Sequence, residues 1–239
     1  MSKQGVRLTC FSSPVMLATF AIETVLAMYT LWRYRLSALV RLVVLSLLAL
    51  GFFQLAEYHV CTGGEGLSAA TWSRAGFVAI TLLPALGLHM LHVLAKKRVG
   101  WLIAVAYASM VSFVGYFLFE TTAFKGYACT GNYVIFQIGR TPALWYALYY
   151  YGWLLMAFIL GVRWANQLVA EQGREPRKRL EAVRGLMVGY LVFLVPTVIA
   201  NTVNPETRRG IPSVMCGFAV LFALILTLYI LPRLAQRRR

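Results

Sequence analysis

Seven long apolar runs dominate the pattern of hydrophobic and polar positions along this chain. Each has about 20 residues with few charges, the length a helix needs to cross a hydrocarbon core of roughly 30 Å. The pattern predicts an all-α, polytopic membrane protein in which residues 1–239 form a single seven-helix transmembrane domain. The predicted spans are 14–32, 42–60, 75–95, 100–119, 142–162, 185–204 and 211–232.

The composition agrees with this prediction. Hydrophobic residues make up 60% of the chain and charged residues 13%, whereas soluble domains have about 45–50% apolar and about 25% charged residues. A water-soluble globular protein is therefore excluded. The net charge is +15. A strongly basic balance is also typical of nucleic-acid-binding proteins, so the positions of the charged residues must distinguish between the two classes.

Lysine and arginine are distributed unevenly between the loops. Of 23 such residues, 16 fall on one side of the predicted spans and 7 on the other. Because positively charged loops remain in the cytoplasm, we expect the N-terminus outside and the C-terminus inside, in a multi-pass protein of an inner (plasma) membrane. Topology and attraction to the anionic lipid bilayer explain the charge, so we expect no nucleic-acid partner.

The two ends of the chain and an internal similarity complete the predicted organisation. The first span has Glu23 in its middle and lacks a small-residue cleavage site, so we interpret it as a retained helix rather than a signal peptide. Three arginines directly follow the last span, so we expect a stand-alone protein without a fused kinase. Residues 40–77 align weakly with 183–218, which favours a 3+1+3 internal repeat with the fourth span as linker; chance similarity between apolar helices is the alternative.

Two of the four cysteines are predicted to lie outside. Cys61 ends the second span and Cys129 lies in the loop after the fourth, so both face an oxidising compartment in this topology. We predict a disulfide between them that tethers residues 120–141 over the mouth of the bundle as a lid. Cys10 and Cys216 are interpreted as free thiols. The absence of a CxxC spacing argues against thiol redox chemistry or structural zinc.

Polar side chains within the spans indicate a ligand site, because ionisable groups in hydrocarbon are costly and usually face a cavity or a partner. On the second span a stripe with helical spacing lies on one face, and a similar stripe occurs on the fourth. Tyrosines on the fifth span and an asparagine on the sixth fall at the same predicted outer end. The candidate ligand-binding residues are Glu57, Glu120, Gln54, Tyr58, Tyr116, Tyr149, Tyr150, Asn201 and, nearer the bilayer middle, Glu23.

Carboxylates beside aromatic rings suit a small cationic or amine ligand, since ring faces attract positive charge. We therefore predict that Glu57 and Glu120 face a common cavity in the outer half of the bundle. The alternative is an aromatic belt at the membrane interface, with carboxylates that are solvated or paired with Arg74 and Arg140.

Metal and cofactor chemistry have little support in the sequence. His89 and His92 are three residues apart on the third span and could share one metal; packing between helices is the other interpretation. No P-loop or GxSxG motif occurs, and we expect no cofactor. Retinal binding is excluded because the last span has no lysine, and ceramidase-like zinc hydrolysis because the chain has no aspartate.

Three segments carry a resemblance to other proteins: 57–61 (EYHVC), 83–89 (LPALGLH) and 211–218 (IPSVMCGF). With the seven spans and the predicted topology, the chain resembles the seven-helix N-terminal sensor region of bacterial membrane histidine kinases and uncharacterised bacterial seven-helix proteins. The resemblance implies a membrane receptor or sensor that signals through a separate cytoplasmic protein. The first alternative is a small-solute transporter. The second alternative is an intramembrane metal-dependent enzyme, for which the sequence offers no nucleophile and no set of metal ligands.

Overall fold

Seven membrane-spanning helical segments form the structure, a computed structural model that describes residues 13–63, 66–129, 134–203 and 210–238. Each segment within these ranges is long and apolar enough to cross a membrane, which confirms the predicted seven-helix membrane fold. The helices are α1 (Ser13–Arg33), α2 (Ala38–Thr62), α3 (Ala69–Thr81), α4 (Leu83–Leu94), α5 (Trp101–Phe119), α6 (Arg140–Ala170), α7 (Arg174–Val203), α8 (Ile211–Leu224) and α9 (Leu231–Leu234), with a π-helical turn, Ile225–Ile230, between the last two.

Apolar side chains occupy both the centre and the outside of the bundle. Leu47, Leu88 and Leu226 are completely buried, whereas Leu155 and Val198 are exposed on the outer surface. Exposed apolar surface on this scale is unfavourable in water and suits a lipid environment. The packing therefore supports the assignment of the seven segments as membrane spans.

The third span consists of two helices and differs from the single helix predicted. α3 ends at Thr81 and α4 begins at Leu83, with Pro84 in the first turn of α4. Proline has no N–H to donate to the preceding turn, which interrupts the helical ladder at this position. The interruption leaves the Thr81 carbonyl to accept a hydrogen bond from the Tyr149 hydroxyl at 2.6 Å.

The sixth span begins eleven residues before the predicted start at position 185. Its first three turns are charged, so the hydropathy pattern does not include them. Ion pairs one turn apart, Arg177 with Glu181 at 3.5 Å and Arg179 with Glu175 at 3.9 Å, support the helix beyond the apolar segment. α7 therefore extends out of the span on the side predicted to be cytoplasmic.

A β-hairpin lies between α5 and α6, where the sequence predicted only a tethered loop. Strands β1 (Phe124–Cys129) and β2 (Val134–Ile138) pair antiparallel. β2 alternates in burial: Val134 and Phe136 are buried while Gln137 is exposed, as expected for a strand with one face on a core. We call the end of the bundle that carries this hairpin the hairpin end.

The predicted disulfide is confirmed. Cys61 at the end of α2 and Cys129 at the end of β1 are bonded, with their Cα atoms 5.8 Å apart. The bond attaches the hairpin to α2. A hydrogen bond of 3.2 Å from the Val134 amide to the Ser213 hydroxyl attaches it to α8 as well, so the hairpin is fixed over the bundle by two helices.

At the opposite end, the C-terminal residues pair with the α1–α2 connection. The Arg35 amide donates to the Gln236 carbonyl, and the Arg238 amide donates to the Arg33 carbonyl, each at 2.9 Å. The seventh span is thereby tied to the first two.

Candidate functional site

A cavity of about 220 Å³ lies beneath the hairpin, and we call it the hairpin cavity. Its walls come from the third, fifth and seventh spans, and β2 forms its cover. The residues that line it are Phe77, Ile80, Phe136, Ile138, Ala143, Tyr146, Ala147, Tyr150, Tyr151, Ile211, Pro212, Met215 and Cys216. An apolar cavity of about 150 Å³ is enough to bind benzene, so this one has room for a somewhat larger molecule.

Aromatic rings make the wall beneath the hairpin rigid. The Phe77 ring is the centre of this group, with neighbouring ring centroids 4.9–6.2 Å away in tilted or edge-to-face orientations: Phe53, Phe117, Phe124, Phe136 and Tyr146. Such pairs contribute about 0.5–1.5 kcal/mol each beyond the area they bury. The hairpin is therefore held by packing as well as by its covalent and hydrogen-bonded attachments.

Three tyrosine hydroxyls and one thiol give the cavity its limited polarity. The Tyr146 hydroxyl accepts a hydrogen bond from the Thr81 hydroxyl at 3.2 Å, and the Tyr151 hydroxyl donates to the Met215 sulfur at 3.3 Å. Cys216 is a free, buried thiol. The Tyr150 ring lines the cavity beside them, with its centroid 5.9 Å from that of Tyr146 and 5.8 Å from that of Tyr151.

A smaller cavity of about 30 Å³ lies deeper in the bundle and shares Tyr150, Met215 and Cys216 with the first. Ser46 and Tyr190 also line it, and the Tyr190 hydroxyl is buried without a partner among the described residues. This volume holds one or two water molecules. It is far too small for a solute that would fill the hairpin cavity.

None of the four predicted ligand residues of the first two spans lines the hairpin cavity. Gln54, Glu57 and Glu23 are buried, with 2%, 1% and 0% of their surface exposed. The Ser213 hydroxyl interacts with the Glu57 carboxyl, although neither carboxyl oxygen reaches hydrogen-bond geometry. Glu23 of α1 packs against Gly51 of α2.

The expectation that Glu120 faces the bundle interior is wrong. α5 ends at Phe119, and the exposed Glu120 carboxylate accepts hydrogen bonds from the Thr122 hydroxyl at 2.5 Å and the Thr122 amide at 3.0 Å. These two bonds, the hydroxyl first, lower the pKa of Glu120 below its ordinary value. Arg74, the partner in the alternative interpretation, donates to the carbonyls of Phe117 and Leu118, and its charge also lowers the pKa of Glu120.

The predicted aromatic and amide residues have different positions. Tyr150 lines the cavity, whereas the buried Tyr149 hydroxyl is bonded to the Thr81 carbonyl. Tyr58 and Tyr116 are half-buried and contact the rings of their neighbours in sequence. Asn201 is half-buried near the end of α7. A ligand-binding role for any of them stays a prediction.

His89 and His92 are both engaged by protein groups. His89 Nδ1 is 3.0 Å from the Tyr107 hydroxyl, and His92 Nδ1 donates to the Leu88 carbonyl at 2.9 Å while its ring meets Trp164 edge to face. Three or more His, Cys, Asp or Glu side chains do not come together as a metal site anywhere in the described ranges.

Sequence reasoning missed most residues of the cavity wall. Small and apolar residues such as Ala143, Ala147 and Ile80 do not mark a binding site in the sequence. On a membrane helix such residues can face lipid as well as a cavity. The available signals were the tyrosines of the fifth span, among them Tyr150, and the segment 211–218, noted above for its resemblance, which supplies Ile211, Pro212, Met215 and Cys216.

Comparison with protein-family models finds no match for this chain, and comparison with curated proteins finds none either.

Proposed function

We propose that this protein is a seven-helix membrane receptor that binds a small, neutral, largely aromatic or apolar molecule in the hairpin cavity. The observation that carries the proposal is the cavity wall, which consists mainly of aromatic and aliphatic side chains, with the hydroxyls of Tyr146, Tyr150 and Tyr151 as its main polar groups. Cavities of this character gain most of their binding energy from apolar contact, and a few polar groups orient the ligand.

A neutral ligand fits better than the cation predicted from the sequence. Glu57 and Glu23 are not part of the lining, and Glu120 is exposed outside the bundle. A cation would lose its hydration in this cavity without a carboxylate at the wall to compensate, which costs far more than ring faces return. The candidate residues kept for ligand recognition are therefore Tyr150 and its neighbours in the wall.

A receptor is favoured over a transporter by the deeper cavity. A solute leaving the hairpin cavity towards the opposite end would have to pass a space of about 30 Å³. Filling a cavity bounded by three separate spans instead changes how those spans pack. In line with the resemblance to sensor regions, we propose that this change is transmitted to a separate cytoplasmic protein at the basic ends of the helices.

The topology proposed for this function has the N-terminus and the hairpin outside and the C-terminus in the cytoplasm of a bacterial cell. The disulfide supports this orientation, because such bonds persist in oxidising compartments. The hairpin cavity then opens on the side from which an extracellular or periplasmic ligand arrives.

Two probes of equal shape test the proposal. Neopentylbenzene and benzyltrimethylammonium differ by a neutral carbon in place of the cationic nitrogen. With the full chain in lipid nanodiscs, we expect neopentylbenzene to raise the thermal unfolding temperature in a saturable way and the cation to have no such effect. Binding of the cation equal to or tighter than that of the hydrocarbon would refute the neutral-ligand proposal.

A cavity-filling variant separates binding from partition into lipid. Ala147→Phe places a ring in the cavity and should abolish the neopentylbenzene effect. Ala104→Phe, the same substitution on an exposed face of α5, should preserve it. If the hydrocarbon acts equally on both variants, it acts through the lipid, and the cavity is not its site.

A further inference from the structure

Two carboxyl groups inside the spans have no cationic partner among the ion pairs of the described residues. Glu23 on α1 is completely buried and Glu57 on α2 exposes 1% of its surface. All four of their carboxyl oxygens lack a hydrogen-bond partner. The ion pairs formed among the described residues involve Glu175 and Glu181 instead.

The basic side chains of α3 and β1, two of the elements packed against α2, are directed elsewhere. Arg74 on α3 donates to the carbonyls of Phe117 and Leu118. Lys125 on β1 is exposed and lies near Gly139. Neither supplies a counter-charge to Glu57.

The histidines and the remaining titratable groups do not supply one either. The His59 ring stacks on Trp72, with 4.4 Å between ring centroids, and His92 on α4 is bonded to its own helix. From α8, the Cys216 thiol interacts electrostatically with both carboxyls but carries no positive charge. The groups that face these glutamates are therefore neutral or acidic.

The two carboxyls do not share one proton, because no oxygen of either has a hydrogen-bond partner and they are therefore not bonded to each other. Glu23 packs against Gly51, where a Cβ would lie 3.6 Å from its Oε2. Gly51 and Glu57 are six residues apart on α2, which is about 9 Å along the helix. Each carboxyl must therefore be stabilised on its own.

An isolated ionised carboxylate in a low-dielectric interior costs far more free energy than the neutral acid. We infer that Glu23 and Glu57 are two intramembrane proton-binding sites, each holding one proton at neutral pH. The proton is preferred to a metal ion because a proton needs only one carboxyl oxygen. A metal needs several ligands, and the part of the chain that the structure describes brings no three acidic, thiol or imidazole groups together.

Infrared spectroscopy of the full chain in nanodiscs, labelled with carbon-13 at the glutamate side-chain carboxyl, tests this inference. A protonated carboxyl has a carbonyl stretching band well separated from the carboxylate bands, and the label identifies it as glutamate. We expect this band in the parent protein at pH 7. Glu23→Gln and Glu57→Gln should each remove about half of it, and the double variant should remove it completely.

Glu171→Gln provides the matched control, since Glu171 is exposed in the α6–α7 connection and its substitution should leave the band unchanged. The parent spectrum is decisive even where a variant fails to fold. Absence of a protonated glutamate band at pH 7 in the folded parent protein overturns the inference. A band whose intensity is the same in the folded double variant overturns it as well.

Discussion

The disulfide allows a quantitative prediction about the hairpin. Replacing Cys61 and Cys129 with serine removes a bond between residues 68 positions apart. The chain-entropy relation for a closed loop of that size gives about 4 kcal/mol at 25 °C. Two membrane spans, however, lie within the loop and stay helical in a denaturing detergent, so the unfolded chain is already restricted. We therefore expect the double variant to lose about 2–3 kcal/mol of unfolding free energy, within the range measured for disulfides.

Two measurements test this expectation, one on the stability of the whole protein and one on the hairpin. Unfolding in mixtures of dodecyl sulfate and a mild detergent, followed by circular dichroism, gives the free-energy difference between parent and double variant. Hydrogen exchange should show faster exchange in β1 and β2, where the attachment is lost, and unchanged exchange in the inner half of α6. The parent protein with its disulfide reduced serves as control and should behave like the double variant.

A specific result would contradict this reasoning. If the double variant unfolds at the same detergent fraction as the parent and the strand amides keep their protection, the disulfide does not hold the hairpin. The aromatic packing around Phe77 and the Val134–Ser213 hydrogen bond would then be sufficient by themselves.

Two further predictions concern packing and charge. Gly189→Ala should destabilise the protein by about 1–3 kcal/mol, because the new Cβ would lie 2.6 Å from a ring carbon of Phe222; Gly152→Ala, where no atom lies within 4 Å, should be neutral or slightly stabilising in the same detergent titration. Thr122→Val should raise the pKa of Glu120 towards its ordinary value, since it removes the hydroxyl that donates to the carboxylate, and carboxyl carbon-13 NMR measures this. Since the pKa of Glu120 is lowered in the folded state, the ionised carboxylate stabilises the fold at pH values above the unfolded-state pKa. This contribution is lost as the pH falls through the folded-state pKa. An unchanged Glu120 pKa in Thr122→Val would contradict the assignment of the shift to the Thr122 hydroxyl.

The sequence by itself determined the number and approximate positions of the spans. Hydropathy is a local property, and about 20 apolar residues have few alternatives to a membrane helix. The disulfide could be predicted for a related reason, because the order of the spans places Cys61 and Cys129 at the same end. The charged start of α7 was missed because the same local criterion ends a span at the first cluster of arginines.

Only the tertiary structure decided which side chains meet. Lipid and protein interior are equally apolar, so the pattern along a membrane helix does not show whether Ala147 or Met215 faces lipid, a neighbour or a cavity. Glu120 continued the helical spacing of the polar residues on the fourth span. α5 nevertheless ends one residue earlier, and Thr122 donates hydrogen bonds to the Glu120 carboxylate outside the bundle. The hairpin cavity forms where three spans and a strand distant in sequence pack together, and its neutral aromatic wall follows from that packing.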